Sequence, residues 1–95
     1  MFIFREAVAG DILQMQIVRN AVKENVLSDP SRIRDGDYLP YLGEKGKSWV
    51  CVWDQTVVGF AAVDLEANNI WALFVHPAFE NQDVGKQLHA VMMNW

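Results

Sequence analysis

Ninety-five residues with one cysteine leave room for a single domain, residues 1–95, and for no intrachain disulfide. Twelve acidic residues against eight basic ones give a net charge of −4, with no Lys/Arg cluster, which argues against nucleic acid or an anionic membrane as partner. No apolar run approaches the ~20 residues that span a bilayer, and Met1-Phe2-Ile3-Phe4-Arg5-Glu6 lacks the order of a signal peptide, so a reducing, cytoplasmic location is expected.

Phe2 to Ala7 reads as a first strand, closed by Gly10-Asp11. Asp11 can cap a helix, and Gln14 three residues on completes a capping-box pattern. Leu13, Ile17, Val18, Ala21 and Val22 then predict one apolar face over Asp11 to about Asn25. Pro30 ends that element. Asp35 to Leu42 predicts a short second helix that carries Tyr38, Tyr41 and Pro40.

Ser48 to Trp53 is a strand with Trp49, Cys51 and Trp53 on one side and Val50 and Val52 on the other, so both faces should be covered. Asp54-Gln55 makes a tight reversal into Thr56–Leu65, where Gly59 marks a bulge or a close approach. After Ala67-Asn68-Asn69, Ile70 to Val75 is the fourth strand, completing an antiparallel meander. Val84, Leu88, Val91, Met92 and Trp95 recur at helical spacing, so a last helix packs on the sheet. The fold class is α/β (α+β layered), a mainly antiparallel sheet with helices on both faces.

Trp71 to Pro77 followed by Glu80-Asn81-Gln82-Asp83-Val84-Gly85-Lys86 is a strand that feeds a helix through a tight turn. The backbone N–H groups of a helix start have no partner inside the helix, so such a turn can hold an anion. Val75-His76-Pro77, the Gly85 turn, Arg5-Glu6-Ala7, Arg19-Asn20-Ala21-Val22 and Val57-Val58-Gly59-Phe60 occur in the order and spacing of one family. On these marks the chain resembles the GCN5-related N-acetyltransferases over essentially its whole length.

That resemblance implies acetyl-CoA as co-substrate and an amine as acceptor. Leu73, Phe74 and Val75 would hold the pantetheine arm by their main chain, and Asn81, Gln82, Asp83, Val84, Gly85 and Lys86 the pyrophosphate. Two residues depart from the family pattern. With its last glycine set on Gly85, Glu80 stands where the family has Gln or Arg, and Asp83 where it has Gly. A carboxylate ~4 Å from a phosphate charge costs about 1–4 kcal/mol.

The third departure is length: members continue past the third main helix, so the domain is expected to be truncated there, and an open fourth strand invites a homo-oligomer. A non-catalytic, truncated protein of the same fold acting through self-association or partner binding is the competing reading.

For a base, Asp64 and Glu66 are the weak candidates, against a plain acidic turn; the catalytic residues are otherwise unassigned. His76 and His89 read as solvated, and all four tryptophans as core. Tyr38 and Tyr41 would line the acceptor pocket by resemblance, or simply pack with a polar tip. Cys51 reads as a small buried hydrophobe, and no cluster has metal-ligand spacing.

Overall fold

The computed structural model describes residues 2–23, 35–43, 45–67 and 69–94. Strands β1 (Phe2–Glu6), β2 (Gly46–Trp53), β3 (Thr56–Asp64) and β4 (Asn69–Val75) form one antiparallel sheet in the order β1-β2-β3-β4. Helix α1 (Ile12–Lys23) and a 3-10 helix, Asp35–Leu42, belong to one face, and α2 (Val84–Met93) to the other. The end of the first helix, its stop at Pro30 and the closing Trp95 lie outside the described residues. No helix among the described residues is long and apolar enough to cross a membrane.

The predicted alternation along β2 splits the interior into two cores. Val50 and Val52 face α1 with Met15, Val18, Tyr38, Phe60 and Ala72. Trp49 and Cys51 face α2 with Val58, Ala61, Val84, Leu88 and Met92. Burying one such large side chain contributes about 1.5–3 kcal/mol. Burial also pushes the Cys51 thiol up to about 11, so it stays protonated and unreactive near neutral pH. Trp53 departs from the core expectation: at the end of β2 it remains 39% exposed.

Two register shifts bend the sheet. Cys51 pairs with Gly59 but Val52 with Val57, so Val58 is left over. Gly59 is needed beside it, because a Cβ there would meet Leu88 Cδ1 and Val84 Cγ1, both at 3.1 Å, and the Phe74 carbonyl oxygen at 3.2 Å. Likewise Ala62 pairs with Ala72 but Val63 with Ile70, so Trp71 is left over. Trp71 and Ala72 both belong to the α1-side core as a result. The Asp54-Gln55 reversal has both residues at positive φ, 49° and 66°, the twist that tight hairpins favour.

Helix α1 corrects two expectations. Its buried stripe is Ile12, Met15 and Val18, whereas Leu13 and Ile17 are 66% and 55% exposed. The capping box between Asp11 and Gln14 does not form. Asp11 instead accepts from the Val8 N–H (2.8 Å), its own N–H bonding back to the Val8 carbonyl (2.8 Å), and it pairs with both guanidinium nitrogens of Arg5 (2.8 and 2.9 Å). Gln14 Oε1 accepts from the Val57 N–H of β3 (2.9 Å), beside the left-over Val58. These two anchors rotate the helix so that Ile12, rather than Leu13, turns inward.

Candidate functional site

β4 forms one of the two edges of the described sheet, β1 the other. The His76 N–H bonds to the Val58 carbonyl (2.8 Å), toward β3. Because successive residues of a strand point their main-chain groups to opposite sides, Leu73 and Val75 direct their N–H and C=O groups away from β3.

The chain leaves β4 through a 3-10 turn, Pro77–Phe79. His76 caps it, with Nδ1 accepting from the Ala78 N–H (3.1 Å), so this histidine is half-buried and occupied rather than simply solvated. His89 is exposed, as expected. Asp83 then reverses the chain into α2 from the left-handed region, φ 62° and ψ 14°, a conformation costing roughly 1 kcal/mol outside glycine.

The first bond into the helix runs from the Gln87 N–H to the Asp83 carbonyl (3.0 Å). The N–H groups of Val84, Gly85 and Lys86 precede it and sit at the positive end of the helix dipole. The Asp83 side chain makes no capping hydrogen bond to them.

These parts meet in a cleft of about 560 Å³, lined by Leu73, Phe74, Val75, Asn81, Asp83, Gly85 and Lys86, together with Glu80 and with Val22 of α1. Of the nine positions proposed for the co-substrate, the structure thus gathers seven. The Val84 side chain lies in the core beneath the turn, and Gln82 is exposed outside the cleft.

Gly85 has no structural need to be glycine. A Cβ there would make only an ordinary 3.4 Å contact with Val75 Cγ2, and Gly85 is not among the positive-φ glycines. The rim charges are mixed: Glu80 and Asp83 are negative, Lys86 positive, and all three are exposed.

The expected base candidates stand elsewhere. Asp64 pairs with Asn69 at the far end of β4, whereas Val75 pairs with Gly59 at the cleft end. Asp64 Oδ1 holds the N–H groups of Glu66 and Ala67 (both 3.0 Å), and its Oδ2 lies 3.5 Å from the Tyr41 hydroxyl. Glu66 is exposed in the same turn. Tyr38 packs with its polar tip satisfied: it is fully buried and donates to Gln16 Oε1 (2.8 Å). Tyr41 stacks on Trp71, ring centroids 4.2 Å apart, and borders a hollow with Asp37, Pro40, Lys45 and Trp71.

Two residues near the cleft read in the sequence only as a family mark and, for Val22, as part of an apolar face, not as site residues. Val22 lines it, and Arg19, one turn earlier on α1, places its guanidinium carbon 4.9 Å from the centroid of the Phe74 ring. Their i, i+3 spacing was the available signal.

Comparison with known proteins bears on this arrangement. A comparison with curated protein sequences returns no significant match. Solved structures share the fold. A GNAT-family acetyltransferase from Staphylococcus aureus Mu50 superposes with a TM-score of 0.81 at 18% identity, covering 99% of this chain and 64% of its own. The PaiA N-acetyltransferase of Thermoplasma acidophilum, solved with coenzyme A, gives 0.77 at 16% identity, covering 99% of this chain and 73% of its own. A GNAT acetyltransferase from Brucella melitensis, solved with acetyl-CoA, gives 0.77 at 16% identity, covering 99% and 67%. The chain thus spans less than two thirds of the Staphylococcus protein it resembles. The family model described as "Acetyltransferase (GNAT) family" matches residues 15–95, and the protein belongs to that family.

Proposed function

We propose that the protein binds acyl-CoA in the cleft between β4 and the start of α2 and transfers the acetyl group to an amine. The observation that carries this reading is the continuity of two sets of main-chain donors. The outward edge of Leu73 and Val75 suits an extended amide-bearing arm, and the open N–H groups of Val84, Gly85 and Lys86 suit a pyrophosphate. Two relatives were solved with coenzyme A or acetyl-CoA, which supports the same ligand here.

The residues fit that ligand in backbone and oppose it in charge at Glu80 and Asp83, with Lys86 offsetting part of the repulsion. In the transfer, the amine nitrogen attacks the thioester carbonyl carbon, the C–S bond breaks, and the proton lost by nitrogen ends on the departing sulfur. Asp64 is engaged by its turn, and neither it nor Glu66 lines the cleft, so the reading assigns the proton to no side chain.

Calorimetric titration with acetyl-CoA tests this directly. Saturable heat, lost on mixing with excess CoA, is expected; no heat and no thermal shift at millimolar acetyl-CoA would remove the reading. A second reading, self-association, is favoured by Leu65, Ile70 and Met93, exposed large apolar side chains gathered around one shallow hollow. Sedimentation at rising concentration separates the two, since a strictly monomeric protein refutes association and leaves acyl-CoA binding standing.

A further inference from the structure

Arg19 is the one cation of α1 with a described side chain, and it stacks on aromatic rings rather than pairing with an acid. Its guanidinium carbon lies 4.9 Å from the centroid of the Phe74 ring and 6.0 Å from that of Trp71. Phe74 is itself a wall of the cleft. Among the described residues no carboxylate lies within ion-pair distance of Arg19. Stacking on aromatic faces holds the guanidinium while leaving its in-plane N–H donors for another group.

The position along β4 decides which group. Gly85 of the phosphate-binding turn approaches Val75, at the end of the strand. Trp71 lies four residues back, about 13 Å at the rise of a strand. A pantetheine arm that starts at α2 and follows the β4 edge passes Phe74, one residue from Val75, and carries its thioester toward Trp71; Arg19 stacks on both rings.

We propose that Arg19 is a specificity-determining residue that binds a carboxylate on the acceptor, so that the acceptor is an amine carrying an acid group, such as an amino acid. A planar bidentate fork matches a carboxylate, and the aromatic floor limits competition from water. The same cation repels acceptors whose only charge is the ammonium group. This inference rests on the acyl-CoA reading of the cleft and adds the acceptor class to it.

The test uses paired acceptors that differ only in the carboxylate: phenylalanine against phenethylamine, and histidine against histamine. Acetyl-CoA binding is measured first, in the wild type and in Arg19→Gln, and is expected to be equal in both. If neither binds it, the acyl-CoA reading fails and this inference falls with it. If Arg19→Gln alone loses affinity for CoA, Arg19 serves the cofactor phosphates and the inference is overturned.

With CoA affinity intact, the wild type is expected to favour the acid-bearing member of each pair at least tenfold in kcat/KM. Arg19→Gln should erase that preference through KM, and Arg19→Lys should restore part of it. Equal use of both members by the wild type, a preference for the decarboxylated one, or a preference unchanged in Arg19→Gln would each overturn the proposal. Where turnover is too slow to follow, calorimetry of the same pairs in the presence of CoA reads the same preference, and no binding of any acid-bearing member also overturns it.

Discussion

Both α-helices among the described residues begin beside an aspartate, and the two aspartates have opposite surroundings. Asp11, ahead of α1, is buried: it accepts two hydrogen bonds from Arg5 and one from the Val8 N–H. Asp83, ahead of α2, is exposed, sits at a φ of 62°, and makes no capping hydrogen bond. The first corner uses its charge to lock strand β1 to helix α1. The second leaves its amides open at a cleft, at the cost of strain and of a negative charge on the rim. One corner is closed by its own side chains and the other is left open, although both begin with the same residue type.

The largest expected effect lies at the closed corner. Asp11→Ala removes a bidentate partner from Arg5 and strands the Val8 N–H, and a loss of about 2–3 kcal/mol is expected in urea unfolding. A pH series adds a sign. Hydrogen bonds from Arg5 hold the Asp11 carboxyl below its usual range, against the opposing effect of burial. A group depressed in the folded state stabilises above its unfolded pKa of about 3.9. That contribution should be complete near neutral pH and disappear as the pH falls below 4 through the native value, and Asp11→Ala should flatten this acid limb.

At the open corner, replacing Glu80 by Arg together with Asp83→Gly removes two like charges and relieves the positive φ. Affinity for CoA should rise by roughly 1–2 kcal/mol in calorimetry. Unchanged affinity would mean that phosphates do not sit there. Gly85→Ala sharpens the contrast further. The added methyl meets Val75 at only 3.4 Å, so the helix should gain up to about 1 kcal/mol in stability. The same methyl occupies the cleft side, so CoA affinity should fall; a stabilised variant with full affinity would show that the ligand does not approach this backbone. The smallest change, Asp83→Asn, keeps a residue that tolerates the left-handed region and drops the charge. It should tighten CoA by about 0.5 kcal/mol and leave the unfolding midpoint unmoved.

Much of the open corner could be read in the sequence, because it is local. A strand, a proline, a turn and a glycine within Trp71–Lys86 define the geometry among near neighbours in the chain. Contacts between distant elements were harder. Arg19 reaches Phe74 and Trp71 across more than fifty positions, and only the packing of α1 on the sheet brings them together. The acids at Asp64 and Glu66 looked available because a sequence does not show that Asp64 is held by the amides of its own turn.

Strand alternation, the helical repeat of Val84, Leu88 and Met92, and a reversal at Asp54-Gln55 followed from the sequence alone. Each depends on intervals of two to four residues, over which backbone geometry dictates which side chains share a face. The inward face of α1 was decided only by the tertiary structure. Ile12, Leu13, Met15, Ile17 and Val18 wrap far enough around that helix to permit more than one rotation. Periodicity sets the angles between side chains and leaves the roll of the helix on the sheet free. The Arg5–Asp11 pair and the Gln14–Val57 bond select that roll, and with it the placement of Arg19 and Val22 beside the cleft.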